Sequence, residues 1–250
     1  MTVTDALVEA DYDAVADLYD RAFQDIRVRR PEWRWVREHL RQASRDTPQP
    51  RVLDIGCGNG ALLSALSSQI GSGVGVDVSA RFIAIAQQRL AAHSHVTVRH
   101  IVGSCLPFAD NSFDVVISFL SFRYLEWEPV VREIRRVTAP EGRLLVVDMA
   151  AKRASITDLP RLAASTLQHA LRPFRDRAFH DHVARLTAHP AWHTMLERHP
   201  IRDVDEYQAC FERHFPGQRM EILNTTLSKC VFAIDSGHLE QTLRQGRSDG

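Results

Sequence analysis

The run Val52-Leu53-Asp54-Ile55-Gly56-Cys57-Gly58-Asn59-Gly60 joins an apolar stretch to alternating glycines, the pattern in this chain best suited to chemistry. It reads as a first strand turning into a first helix, the place where open α/β sheets bind ligands. Glycine there lets the backbone approach a ligand closely and take conformations that a side chain forbids. Gly56-x-Gly58-x-x-Ala61 also satisfies the dinucleotide fingerprint with alanine last, so the glycines alone leave a nicotinamide cofactor open. Asp54 shifts the balance, because a carboxylate two residues before the first glycine repels a pyrophosphate and favours an ammonium or a sulfonium neighbourhood. Asp77 ends the run Gly75-Val76-Asp77, where a carboxylate can accept hydrogen bonds from both hydroxyls of a ribose, and that feature fits either cofactor. Cys57 and Cys105 read as small packed residues rather than nucleophiles.

These residues need a scaffold, and the periodicity supplies one. Strands are expected at Val52 to Ile55, Gly73 to Asp77, Val96 to Ile101, Phe113 to Ser118 and Arg143 to Asp148, alternating with helices at Ala61 to Ile70, Ala80 to Ala92 and Pro129 to Val137. Such alternation implies a parallel sheet covered on both faces. Two helices precede it, at about Ala10 to Phe23 and Trp33 to Ala43, and Thr47-Pro48-Gln49-Pro50 ends the second. After Met149 the rhythm stops. Helical pieces such as Leu159 to Leu171 and His180 to Thr187 then lie among four prolines, followed by a helix at about Val204 to Phe215 and a hairpin of Met220 to Leu227 with Lys229 to Asp235. The expected organisation is therefore N-terminal helices over 1–46, a core of 51–150 with 203–235, a helical cap over 151–202 and a fraying polar tail over 236–250.

Two further motifs complete the series: the loop and fourth strand Gly103-Ser104-Cys105-Leu106-Pro107-Phe108-Ala109-Asp110-Asn111-Ser112-Phe113-Asp114-Val115-Val116-Ile117-Ser118, and Pro140-Glu141-Gly142-Arg143-Leu144 before the fifth. With them the chain resembles the class I S-adenosylmethionine-dependent methyltransferases, in particular the small-molecule group related to ubiquinone and menaquinone biosynthesis. The resemblance covers about Tyr12 to Asp148 and resumes at the hairpin. It implies a Rossmann-like doubly wound α/β sheet, mostly parallel with a C-terminal antiparallel strand, that binds S-adenosyl-L-methionine and methylates oxygen, nitrogen or carbon of a small molecule. By position it places Asp54, Gly56, Cys57 and Gly58 around the methionine moiety, Asp77 on the ribose and Val78 beside the adenine. Ser104, Cys105 and Leu106 would line the far side of the ring, with Ser118 and Phe119 below the sulfonium.

A tyrosine of the N-terminal helical region closes over the cofactor in such enzymes, and Tyr12 and Tyr19 match that place. Tyr19 is assigned to the cofactor, and Tyr12, Arg123 and Tyr124 to the substrate. Two positions depart from the pattern: relatives often carry an acidic residue and alanine where Ser104-Cys105 stands, and histidines near Arg123-Tyr124. Arg123 then offers a contact for an anion. No general base is identified. A cofactor-binding enzyme of the cyclase type and a non-catalytic scaffold of the same fold are the alternatives.

Composition bounds the partners. The formal charge is zero, 31 basic against 31 acidic side chains, which argues against a nucleic-acid partner. Residues 152–202 are locally basic, nine Lys or Arg against four Asp or Glu, which reads either as a solvated face or as recognition of an acidic group on the substrate. The histidines there include His180-x-His182 and His189-x-x-x-His193, but no carboxylate or cysteine sits at a matching offset, so no metal is expected. One of them acting as a base on a substrate hydroxyl stays open. Four cysteines without CxxC pairing, a polar acidic N-terminus and no apolar run of membrane-spanning length lead to a cytoplasmic expectation without a membrane span.

Overall fold

The computed structural model describes residues 3–152 and 177–239, with side chains from Tyr12 onward. Seven strands form one sheet: β1 (Arg51–Ile55), β2 (Ser72–Asp77), β3 (Val96–His100), β4 (Phe113–Phe119), β5 (Thr138–Ala151), β6 (Glu221–Thr225) and β7 (Lys229–Asp235). Their order is β3-β2-β1-β4-β5-β7-β6. The first five are parallel, while β7 runs antiparallel to β5 and β6 antiparallel to β7. The chain winds outward from β1 to β3 and then crosses back to β4. The carboxyl ends of β1 and β4 therefore flank a topological switch point, where a crevice opens.

Central strands are apolar because both sheet faces are covered. In β1, Val52 points into a core with helices α2 (Arg30–Asp46), α3 (Ala61–Leu66) and α4 (Ala80–Leu90). Leu53 and Ile55 point the other way, into a core with α5 (Trp127–Val137) and α8 (Val204–His214). Each such side chain contributes about 1.5–3 kcal/mol of burial, and Asp54 is the one acid in the buried part of the strand. A third apolar cluster stands apart from the sheet. It joins Val15, Ala22 and Phe23 of α1 (Val3–Ala22) and the turn after it to Leu186 of α6 (Arg177–Thr187), with Trp192 of α7 (Pro190–Arg198) packed against it.

Differences from the sequence expectations have local causes. The first crossover helix ends at Leu66 and tightens into a 3-10 turn over Ser67–Gln69. Strand β5 runs well past both expected ends: Thr138 pairs with Phe113 of β4 at its start, and β7 continues the ladder as far as Ala151, opposite Lys229, at its end. Helix α7 was not anticipated: Pro190 occupies its first turn, and the His189 ring accepts the Ala191 N–H at 3.3 Å. The tail does not fray at Ser236, which is fully buried; its Oγ accepts the Leu144 N–H and its N–H bonds the Leu144 carbonyl, both at 2.9 Å. The expected cap helix at Leu159 to Leu171 and the tail from residue 240 lie outside the described residues. No described helix is long and apolar enough to cross a membrane.

Candidate functional site

A cavity of about 510 Å³ opens at the switch point, above the carboxyl ends of β1, β2 and β4 and under α1, α6 and α7. The glycine turn forms its floor. Gly56 and Gly58 take φ of +73° and +52°, left-handed values that side chains rarely adopt. A Cβ on Gly56 would lie 2.7 Å from Ser121 Oγ, whereas Gly58 faces open space, the cradle a ligand can fill. The N–H groups of Gly56 and Cys57 share the Val76 carbonyl at 2.8 and 3.0 Å, which locks the turn onto β2.

Two carboxylates meet this floor. Asp54 is 1% exposed, its Oδ1 has no hydrogen-bond partner, and its pKa is pushed up to about 8 by burial and then by the charge of Asp77. Such a group ionises fully at neutral pH only when a cation is brought beside it. Asp77 accepts the Gly58 N–H at 2.8 Å on one oxygen and the Ser79 N–H at 2.9 Å on the other. The Val78 N–H also acts on this carboxylate, which lines the cavity where it can accept from the hydroxyls of a ligand. Burial raises the pKa of Asp77 while those N–H groups oppose the rise. Cys57 is buried beside both acids, and its thiol is held well above its usual range, first by burial and then by their charges, so it is no nucleophile.

Helix α1 is tied down over the floor. Asn59 Nδ2 donates to Asp20 Oδ1 at 2.9 Å and to the Phe23 carbonyl at 3.0 Å, while its Oδ1 accepts the Ala61 N–H. Arg89 closes on the same Asp20 at 2.6 Å. Asp13 accepts from the Ser79 hydroxyl and the Arg81 N–H at the start of α4. Opposite, Leu120 takes φ of +58° as the chain leaves β4, turning it across the cavity. Ser121 then donates its hydroxyl to the Ile55 carbonyl at 2.6 Å.

The far half of the cavity has a different character. Val183, Leu186, Trp192, Met195, Leu196 and Ile201 give it an apolar wall, while Lys229 and the exposed His193 also line the cavity. Arg123 is 6% exposed, with Nε and Nη1 lacking hydrogen-bond partners and Nη2 bonded to the Tyr124 hydroxyl. Its own N–H donates to Asp148 Oδ2 at 2.7 Å. Burial alone would lower the Arg123 pKa, but Tyr124 and Asp148 outweigh it. Burial lifts Asp148 itself to about 6. Tyr12 packs edge-on to Tyr124, ring centroids 5.2 Å apart, and burial raises the pKa of both.

Of the residues singled out from the sequence, Tyr12, Tyr19, Asp54, Gly56, Cys57, Gly58, Asp77, Val78, Ser104, Leu106, Phe119, Arg123 and Tyr124 line this one cavity. Two do not. Cys105 is exposed on the outer side of its loop, which Glu133 and Arg136 pin through the backbone of Leu106 at 2.9 and 2.8 Å. Ser118 is fully buried off the wall, its hydroxyl 2.8 Å from that of Ser121, because alternation along β4 aims it under the turn rather than into the crevice. Residues not anticipated include Arg29, Asn59, Leu120, Ser121, Met149 and Lys229. Asn59 was within reach, since it stands inside the glycine motif; the others carry no local signal. His180 and His182 do not line the cavity, and no cluster fit to hold a metal occurs among the described residues.

Residues 53–146 match the family described as "Methyltransferase domain". The demethylmenaquinone methyltransferase of Clavibacter sepedonicus is 31% identical over 143 residues, 56% of this chain and 57% of its own length. That of Renibacterium salmoninarum is 34% identical over 144 residues, 56% and 58%. The chain thus spans little more than half the length of these curated relatives. Among solved structures, the geranyl diphosphate C-methyltransferase of Streptomyces coelicolor A3(2), bound to Mg2+, geranyl diphosphate and S-adenosyl-L-homocysteine, superposes with a TM-score of 0.52. It shares 13% identity over 76% of this chain and 72% of that one, a likeness of fold.

Proposed function

We propose that this chain, whose residues 53–146 match a methyltransferase domain, transfers the methyl group of S-adenosyl-L-methionine to an apolar small molecule that carries an acidic group. The observation that carries the cofactor assignment is Asp54, a buried carboxylate with an unpartnered oxygen at the glycine turn, which fits the ammonium of a methionine moiety. Asp77, a carboxylate held by backbone N–H groups at the end of β2 and lining the cavity, fits the ribose. Ile101, Ser104 and Leu106 offer a mostly apolar slot for the adenine beside Val78. A pyrophosphate would meet two carboxylates here, which disfavours a dinucleotide.

S-adenosylmethionine supplies an activated methyl on a sulfonium. The protein's part is to position that methyl against the acceptor and to exclude water. Tyr19 and Phe119 bound the cavity near the turn, and α1 with α6 and α7 covers it from above. The apolar wall on α6 and α7 receives the acceptor's body. Arg123, whose Nε and Nη1 have no partner, receives its acidic group, with Tyr12 and Tyr124 alongside. Relatives named for demethylmenaquinone support an apolar acceptor. Zero formal charge favours a small molecule over nucleic acid, and four free thiols suit a cytoplasmic protein.

Calorimetric titration with S-adenosylhomocysteine tests the assignment. The wild type binds, and Asp77→Ala weakens binding at least tenfold, about the value of a lost hydrogen-bonded pair. A folded wild type that does not bind, or an Asp77→Ala variant that binds as well as the wild type, refutes it.

A further inference from the structure

The roof of the cavity meets the sheet domain along a seam between α1 and α4. Helices α1, α6 and α7 pack on one another through Val15, Ala22, Phe23, Leu186 and Trp192, a cluster separate from the two cores of the sheet. On its other side α1 faces α4, the helix that follows β2. Tyr12 and Tyr19 meet Phe82 there, with ring centroids 6.3 and 5.4 Å apart. Outside them Asp13, Asp17 and Asp20 stand at helical spacing against Ser79, Arg81 and Arg89. The two ends of the seam differ. At Asp20 the contacts hold the place where α1 ends: Arg89 donates to Asp20 and to the Gln24 carbonyl at 2.6 and 2.8 Å, and Asn59 donates to Asp20 and to the Phe23 carbonyl. The chain itself anchors that end, since it runs on into the 3-10 turn Ile26–Val28 and α2. Asp13 lies roughly 15 Å further along the helix axis, so a tilt of α1 about its anchored end displaces Asp13 most.

We propose that Asp13 is the latch of this roof, the side chain whose release from α4 lets α1, α6 and α7 lift together and open the cavity. Its carboxylate accepts from the Ser79 hydroxyl and from the Arg81 N–H, the latter at 3.1 Å. Both donors belong to the start of α4, where unpaired N–H groups and the helix dipole favour an anion, and Ser79 is fully buried. The neighbouring pair of Arg81 with Asp17 has side chains 47% and 58% exposed and contributes little. Asp13 does not line the cavity, so it makes the same contacts whether or not a ligand lies beneath. It is therefore a positioning residue that acts through α1. Its removal lowers the cost of opening equally for the empty and the loaded protein. Entry and exit then quicken by the same factor, and the affinity, which is their ratio, stays the same. Loss of a residue that touched the ligand would change that ratio instead.

Two measurements on the full chain test the latch. The first labels the free protein with N-ethylmaleimide and reads each cysteine by peptide mass. Cys57 lines the cavity floor under the roof, and Cys230, buried in the core of the sheet, is the reference for global unfolding. Asp13→Ala speeds labelling of Cys57 roughly 10-fold, as expected for loss of charge-assisted hydrogen bonds, and leaves Cys230 unchanged. Asp13→Asn, which keeps an acceptor without the charge, falls between, and Arg81→Gln changes the rate less than about twofold. The second follows association and dissociation of S-adenosylhomocysteine, a probe that rests on the methyltransferase reading. In Asp13→Ala both rates rise about 10-fold while Kd stays within about twofold of the wild type. An unchanged Cys57, equal acceleration of Cys57 and Cys230, or a Kd weakened through dissociation alone overturns the latch. A wild type that does not bind S-adenosylhomocysteine overturns the cofactor reading, and the labelling still decides the latch.

Discussion

Asp54 makes cofactor binding a proton-linked event. Burial and the charge of Asp77 lift its pKa to about 8 in the free protein, so at pH 7 about nine in ten molecules carry the proton there. An ammonium arriving beside the unpartnered oxygen favours the carboxylate and drives the pKa down. Binding at pH 7 therefore releases close to one proton, roughly 0.9 if the bound pKa falls below 6. The apparent affinity carries the cost of that deprotonation, about 100-fold at pH 6 and about twofold at pH 8, so it rises roughly 50-fold over this interval. Above pH 8 the ligand's own ammonium begins to lose its proton, which sets the upper limit of the window. Calorimetric titration with S-adenosylhomocysteine in buffers of different ionisation enthalpy counts the protons, and repeating it from pH 6 to pH 8 gives the slope. Asp54→Asn, which cannot ionise, flattens the slope and converges on the wild type only as pH falls toward the bound-state pKa, below 6. A wild type with no proton release and flat affinity, or an Asp54→Asn variant with an undiminished slope, refutes the linkage.

The same shift acts on stability with the opposite sign. The free native state holds the Asp54 proton between about pH 4 and pH 8 while the unfolded chain does not, so this group makes the apoprotein lose up to about 4 kcal/mol as pH rises from 5 to 8. Thermal unfolding should show Asp54→Asn more stable than wild type at pH 8 and nearly equal to it at pH 5; a difference independent of pH contradicts this. Gly56→Ala combines a left-handed φ with a collision at Ser121 and should cost about 2–4 kcal/mol in denaturant unfolding, besides abolishing S-adenosylhomocysteine binding. Asn59→Ala removes the two hydrogen bonds from Asn59 to Asp20 and the Phe23 carbonyl, and hydrogen exchange should report α1 amides opening faster while those of β1 and β4 stay protected. Equal protection of α1 in the two proteins would show that the apolar contacts with α6 and the ties through Asp13 and Asp20 hold the helix without Asn59.

How much of this was legible in the sequence depended on range. The strand-to-glycine turn, Asp54, Asp77 and the terminal hairpin are local patterns: period-two burial on a two-sided sheet and glycines at positive φ are written in consecutive residues. The sheet order then puts the glycine turn at the switch point without further information. The cavity's membership was not local. Cys105 and Ser118 flank wall residues in sequence yet face away, because the orientation of a loop and the parity of a strand follow from what pins them, here Glu133 with Arg136 and the Ser121 hydroxyl. Arg29 lies outside every motif and lines the cavity only because its turn packs on α3. Likewise β5 outgrew the end of its sequence pattern because β7, some eighty residues later, offered hydrogen bonds. Sequence by itself determined which elements form and which faces they bury, since those are set by near-neighbour sterics and hydrophobic period. Tertiary structure alone decided which charges share one low-dielectric space, and with it the raised pKa of Asp54, because desolvation and Coulomb energy depend on distances in space and not on separation along the chain.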